Sequence, residues 1–200
     1  MKKIGLFGLG LLMSFAVLAQ NAVVGIKGGL NLATNTNSNP IAEPSYKLGY
    51  NAGFLVNLNI SPKIAVQPEL VYSNQGHKYT IESLEYLGGP EEHSLHLNYL
   101  NVPVLLQFKA TPQFRLQTGP QVGFLTSVND QVNGETTGFF TSSDFKKTDV
   151  AWSFGLSFMG NSGIGVDARY NLGLTDINNT GRSSVIKNNV AQVGLVMELR

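Results

Sequence analysis

Six ionisable residues, Lys27, Glu69, Arg115, Asp167, Arg169 and Glu198, fall on the polar side of segments that alternate between apolar and polar residues. Three cations and three anions sharing one side of a sheet are the material of a buried ion-pair network. An ion sealed from water is costly, and an opposite charge offsets part of that cost. The same residue types could line a gate or conducting path, or supply carboxylate catalysis. A structural network that fills an interior is the favoured reading, because nothing in the spacing outlines a substrate cavity, and no catalytic residue is singled out.

All three histidines, His77, His93 and His96, lie in or beside one polar stretch that also holds Glu91 and Glu92. Imidazole and carboxylate can ligate a divalent metal, but this spacing matches no established site, so these are weak metal candidates and no cofactor is expected. His93-Ser94 sets a base beside a hydroxyl, the pairing that a lipid hydrolase would use, with no third member fixed by the spacing. Phe139, Phe140 and Phe145 are apolar anchors of the kind found at interfaces. With Glu91 and Glu92 they form the candidate binding surface.

These residues sit on elements with a period of two. Leu48, Tyr50, Ala52, Phe54, Val56, Leu58 and Ile60 alternate with Lys47, Gly49, Asn51, Gly53, Leu55, Asn57 and Asn59. Seven further segments repeat the plan around Ile26, Val66, Val104, Leu116, Phe154, Val166 and Leu195. Such alternation predicts half-buried strands. Short connections at Ser61-Pro62-Lys63, 110–113 and 160–163 alternate with long polar loops over 34–46, 77–93, 128–147 and 176–188. Before the first strand, Met1-Lys2-Lys3, an apolar run from Ile4 to Leu18 and small residues at Val17 and Ala19 predict a secretory signal peptide over 1–19. The barrel domain is then expected over 20–200.

Composition selects among one-sided sheets. Only 14% of the chain is charged and the net charge is +1, while the polar faces are built from Gly, Ser, Asn and Gln. A soluble barrel would cover its polar face with Lys and Glu. A narrow lumen packed by its own side chains suits these faces better. Aromatics flank the apolar band: Phe108, Phe114 and Phe158 beside the short turns, Tyr50, Tyr72, Phe124 and Trp152 toward the long loops. Paired girdles of this kind mark two membrane interfaces. The expected fold is therefore all-β: an eight-stranded antiparallel up-and-down transmembrane β-barrel in the outer membrane. Near-neutral charge argues against nucleic acid as a partner. Zero cysteines exclude disulfides, a cysteine nucleophile and cysteine-ligated zinc. Pro68, Pro103 and Pro120 fall inside strands, where a missing N–H loses a ladder bond, so bulges are expected there.

Four stretches resemble the PorT-like outer-membrane beta-barrel family of Bacteroidota. They are Gln67-Pro68-Glu69-Leu70-Val71-Tyr72-Ser73 with Gln75-Gly76, Tyr99-Leu100-Asn101-Val102-Pro103-Val104-Leu105, Gly119-Pro120-Gln121-Val122-Gly123, and Asp167-Ala168-Arg169-Tyr170-Asn171-Leu172-Gly173-Leu174. The resemblance covers essentially all of the mature chain and implies an eight-stranded outer-membrane barrel with the prolines as family features. It implies little about activity. Barrels of this kind usually end in an aromatic residue, where this sequence has Glu198-Leu199-Arg200.

The function expected from these observations is non-enzymatic: a barrel with a filled lumen, in contact with outer-membrane lipid, whose external loops bind a protein partner or support the envelope or secretion machinery. The alternatives are an outer-leaflet lipid-modifying barrel enzyme and a narrow conducting or transport barrel.

Overall fold

The computed structural model describes residues 22–37, 45–81, 91–137, 139–181 and 184–199. The expected signal peptide lies outside them. Nine strands follow in chain order: β1 (Ala22–Asn37), β2 (Lys47–Asn59), β3 (Ile64–Ile81), β4 (Glu91–Lys109), β5 (Phe114–Val132), β6 (Glu135–Thr136), β7 (Thr148–Met159), β8 (Ile164–Gly173) and β9 (Ile186–Leu199). Eight are long. β6 is a two-residue return that pairs only with the end of β5. Every pairing is antiparallel, β1 pairs with both β2 and β9, and β4 pairs with β5, so the sheet closes on itself. Closure removes the edges that a lipid-exposed sheet could not leave unpaired. Among the described residues no helix is long and apolar enough to cross a membrane.

The alternation seen in the sequence becomes two surfaces. Ile26, Leu30, Phe54, Leu106, Leu116, Phe154, Val166 and Leu195 are exposed on the outer wall, whereas Asn31, Asn51, Asn57, Gln67, Gln107 and Gln117 are buried inside. The expected girdle residues all lie on the outward faces of their strands. Phe114 pairs with Phe158 near the short turns. Tyr50 and Tyr72 approach to 6.2 Å between ring centroids toward the long loops.

The bulges expected at the prolines are absent. Glu69 pairs with Leu55 and Val66 with Leu58 in one register on either side of Pro68. Asn101 pairs with Val71 and Val104 with Pro68 around Pro103, and Gln121 pairs with Pro103 and Thr118 with Leu106 around Pro120, again without slippage. A missing N–H interrupts pairing locally but adds no residue to the strand, so the face of each side chain is preserved. The irregularity lies higher, between Asn98 and Tyr99, where Ser127 opposes Asn98 and Leu125 opposes Tyr99, leaving Thr126 extra on β5. The Thr126 hydroxyl donates to the Asn98 carbonyl at 2.9 Å.

The expected loops are also shorter than read from the sequence. β1 continues to Asn37, β3 to Ile81 and β5 to Val132, while β4 begins at Glu91. These ends were hidden because their alternation changes phase. Beyond Tyr72 and Leu100 the outward positions become Lys78 and Thr80 on β3, and His96, Ser94 and Glu92 on β4, while Asn74 and Asn98 are buried and bonded to each other at 2.7 Å. The inward positions become Leu97 and Leu95. At Gly76, φ is +117°. A Cβ there would stand 2.0 Å from the Leu95 carbonyl oxygen, so only glycine lets β3 press against β4 at this level.

Candidate functional site

The alternating pattern turns all six predicted ionisable residues inward, and each is buried. They gather into two groups. In the larger, Arg169 holds Glu69 with two hydrogen bonds of 2.8 and 2.9 Å. Lys27 lies 3.0 Å from Asp167 and 3.5 Å from Glu69. Arg169 also stands 3.5 Å from Asp167, so two cations and two anions form one cluster. Gln67 donates to Glu69 at 2.7 Å, and Gln117 donates to Asp167. The second group is Arg115 with Glu198, joined through both guanidinium amino groups.

Amides fill the space around these ions. Asn57 donates to Gln67 and Gln107 at 3.0 and 2.6 Å, and Gln107 donates to Gln67 at 2.8 Å and Gln117 at 3.1 Å. One layer outward, Asn31 accepts from Asn51 at 2.7 Å and Gln192 at 2.9 Å and donates to Ser73 at 2.9 Å. Bonds that cross the lumen brace the barrel and leave it without an open bore at this level.

The outer mouth is closed differently. Leu95, Leu97 and Tyr99 of β4 pack with Phe145 and Ile177 from the loops, with Leu125, Val128, Phe140 and Ile186 around them. Phe145 is 5% exposed and Phe140 partly buried, while Phe139 is 75% exposed. Of the three predicted aromatic anchors, only Phe139 is presented to solvent. Glu92 pairs with Lys78 on the outer surface. Glu91 pairs through its backbone with Ile81, and its side chain lies outside the described residues.

The three histidines do not converge. His77 and His93 face inward and His96 outward, as their alternate positions on β3 and β4 require. Ser94 therefore stands back to back with His93, and its hydroxyl lies 3.3 Å from His96 Nε2 on the outer wall. Asn35 bonds His77 Nδ1 at 2.9 Å. Burial and then the charge of Lys47 hold the His77 imidazole down at about 4. Tyr79 stacks on His93 with centroids 4.7 Å apart and planes 11° from parallel. Burial, and then the charge of Asp130, push the Tyr79 phenol up to about 12.

Three buried ionisable residues had no place in the sequence-based site, Lys47, Asp130 and Asp149, the last accepting from the Thr175 hydroxyl at 2.9 Å. Lys47, 2% exposed, donates to Asn74 Oδ1 at 2.7 Å and the Gln75 carbonyl at 3.2 Å. Its place on the polar face of the second segment was a usable signal. Asp130, 0% exposed, accepts from the Thr137 hydroxyl at 3.0 Å. It was not recognisable, because it lies past the bulge in a stretch that reads as a loop.

Known proteins agree with this architecture. The model of the outer membrane protein beta-barrel domain matches residues 18–179. No curated protein matches the chain. Among solved structures, Neisserial surface protein A is 12% identical and aligns over 88% of this chain and 97% of its own, with a TM-score of 0.54. Ail of Yersinia pestis, solved in complex with the heparin analogue sucrose octasulfate, is 14% identical over 90% of this chain and 99% of its own, with a TM-score of 0.50. At such identities the likeness concerns the fold. The family match extends over most of the sequence, and the chain belongs to the outer membrane protein beta-barrel domain family.

Proposed function

We propose that this protein is a non-enzymatic, non-conducting barrel that presents its outer rim to a protein partner or to other components of the envelope, a role in support of secretion among them. The observation that carries this reading is the double closure of the lumen. Ion pairs and amides fill it within the membrane, and an apolar cluster fills it at the outer mouth. A general diffusion route has no room in such an interior. The rim, by contrast, is built: three strands continue past the girdle around their own core.

The PorT-like, Bacteroidota kinship of the four motifs and removal of residues 1–19 on export belong to the same proposal. The Ail complex is an instance of this fold carrying a ligand. Crosslinking the intact cell envelope and identifying what attaches to the outer loops tests the reading. Recovery of a defined partner, lost on replacement of the exposed Phe139, is the expected result. Unit conductance in planar bilayers that changes in Arg169 variants would overturn it.

One observation favours a second reading. Ser94 and His96 pair on the outer wall just beyond the apolar band, a hydroxyl and a base beside the outer leaflet. An outer-leaflet lipid-modifying enzyme built on them predicts altered lipid composition in Ser94→Ala cells.

A further inference from the structure

Among the described residues, Asp130 is the one buried carboxylate with an oxygen that no donor reaches. Its other oxygen accepts only from Thr137. In the lumen network Glu69, Asp167 and Glu198 each face a cation, and buried Asp149 accepts from the Thr175 hydroxyl. A fully buried carboxylate without a counter-charge is expensive to maintain, and a ligand that brings the counter-charge removes that cost.

Its surroundings narrow the chemistry. Asp130 pairs with Leu95, while His93 pairs with Tyr79 on one side and Val132 on the other. Asp130 and His93 are therefore diagonal neighbours on the inner face, within reach of long and aromatic side chains. The Tyr79–His93 stack forms the adjoining wall, and His77 extends it with its centroid 5.7 Å from Tyr79. A carboxylate with an aromatic stack alongside it on the same inner face is a combination that holds an organic cation, the charge supplying attraction and the rings an apolar wall. Asn35 adds a buried acceptor without a donor at the same end of the barrel, next to His77. The unmet Asp130 and Asn35 oxygens are acceptors, so a ligand that meets them brings donors.

From this arrangement we infer that the outer mouth binds a protonated amine, its ammonium on Asp130 and its carbon skeleton against the Tyr79–His93 stack. The site is independent of any protein partner on the outer surface.

The test uses the whole barrel in detergent micelles with isotope-labelled histidine, titrated with spermidine and, separately, with calcium chloride. Spermidine is expected to shift the His93 imidazole resonances saturably while those of outward-facing His96 stay in place. Asp130→Asn should weaken the response by about tenfold or more, as neutralising one partner of a buried charge pair does. Tyr79→Leu should weaken it severalfold, and Asp176→Asn, on a different loop, should leave it unchanged. Heat-modifiable electrophoretic mobility establishes that each variant is folded. Should Asp130→Asn fail to fold, Tyr79→Leu decides. No saturable response, equal binding by both variants, or a response to calcium without one to spermidine overturns the inference. The envelope crosslinking result bears on the partner alone, so either proposal can fail without the other.

Discussion

The membrane-level barrel and the outer rim are made from the same strands but are built inside out with respect to each other. Between the aromatic girdles the outer wall is apolar and the lumen holds amides and ion pairs. Beyond Leu100 and Phe124, strands β4 and β5 turn Leu95, Leu97, Leu125 and Val128 inward and polar side chains such as His96 and Asn129 outward. The solvent explains the exchange. Lipid accepts apolar side chains and no unpaired polar group, so the membrane part must hide its polar groups inside. Water reverses both preferences, so the rim folds as an ordinary half-buried sheet with its own core. Buried charges follow the same division: every ion of the six-residue network is matched, whereas Asp130 in the rim has no cation paired with it among the described residues.

Breaking the network should have the largest effect. Glu69→Ala removes the bidentate partner of Arg169 and leaves Arg169 and Lys27 to share Asp167 alone among the described residues. It should cost about 3–5 kcal/mol, measured as a shift in the urea midpoint for loss of heat-modifiable mobility in lipid vesicles. Leu97→Ala attacks the other region. It should cost about 2–5 kcal/mol, seen as faster hydrogen exchange or proteolysis confined to 92–99 and 125–132 while the membrane-level parts of the strands stay protected. If both variants destabilised the whole barrel equally, the division into two regions would fail.

The reversal of faces is sharpened by placing one residue type in both. Leu195→Arg puts a charge on the lipid-facing wall and should cost about 2–4 kcal/mol. Asn129→Arg, on the exposed outer side of the rim, should be nearly neutral in the same assay.

Acid should act on the rim next. The His77 imidazole is held at about 4, against an ordinary 6.5. The folded form therefore resists protonation that the unfolded chain accepts. The stability His77 contributes is present above pH 6.5 and is lost as pH falls toward about 4. An effect of roughly 2 kcal/mol, visible as rim opening in hydrogen exchange, should be flattened in His77→Gln. Ser94→Ala should change neither stability nor lipid composition if the rim is not an enzyme.

Much of this was legible in the residues. The alternation around Phe54, Leu106 and Phe154 already separates a lipid face from a lumen face, and the girdle positions follow from it. The six network residues could be listed because each interrupts a run of uncharged polar positions. The rim was not legible, since Leu95, Leu97 and Tyr99 alternate in the opposite phase to Leu100, Val102 and Val104 and so read as the end of a strand. The proline bulges were a mistaken inference from a real constraint: Pro68, Pro103 and Pro120 each lack an N–H, but losing a bond does not require adding a residue.

By itself the sequence determined the barrel: a period-two pattern, short turns alternating with long loops, and too few charges for both faces to meet water. Those properties are local and repeat along the chain, so no long-range information is needed to see them. Only the tertiary structure decided which charges meet, because Glu69 and Arg169 stand 100 residues apart and Lys27 and Asp167 140 apart. Closing the ring and fixing the stagger of its strands brings them to one height. The same closure buries Asp130 without an ion-pair partner among the described residues, a consequence of where the strands end up in space.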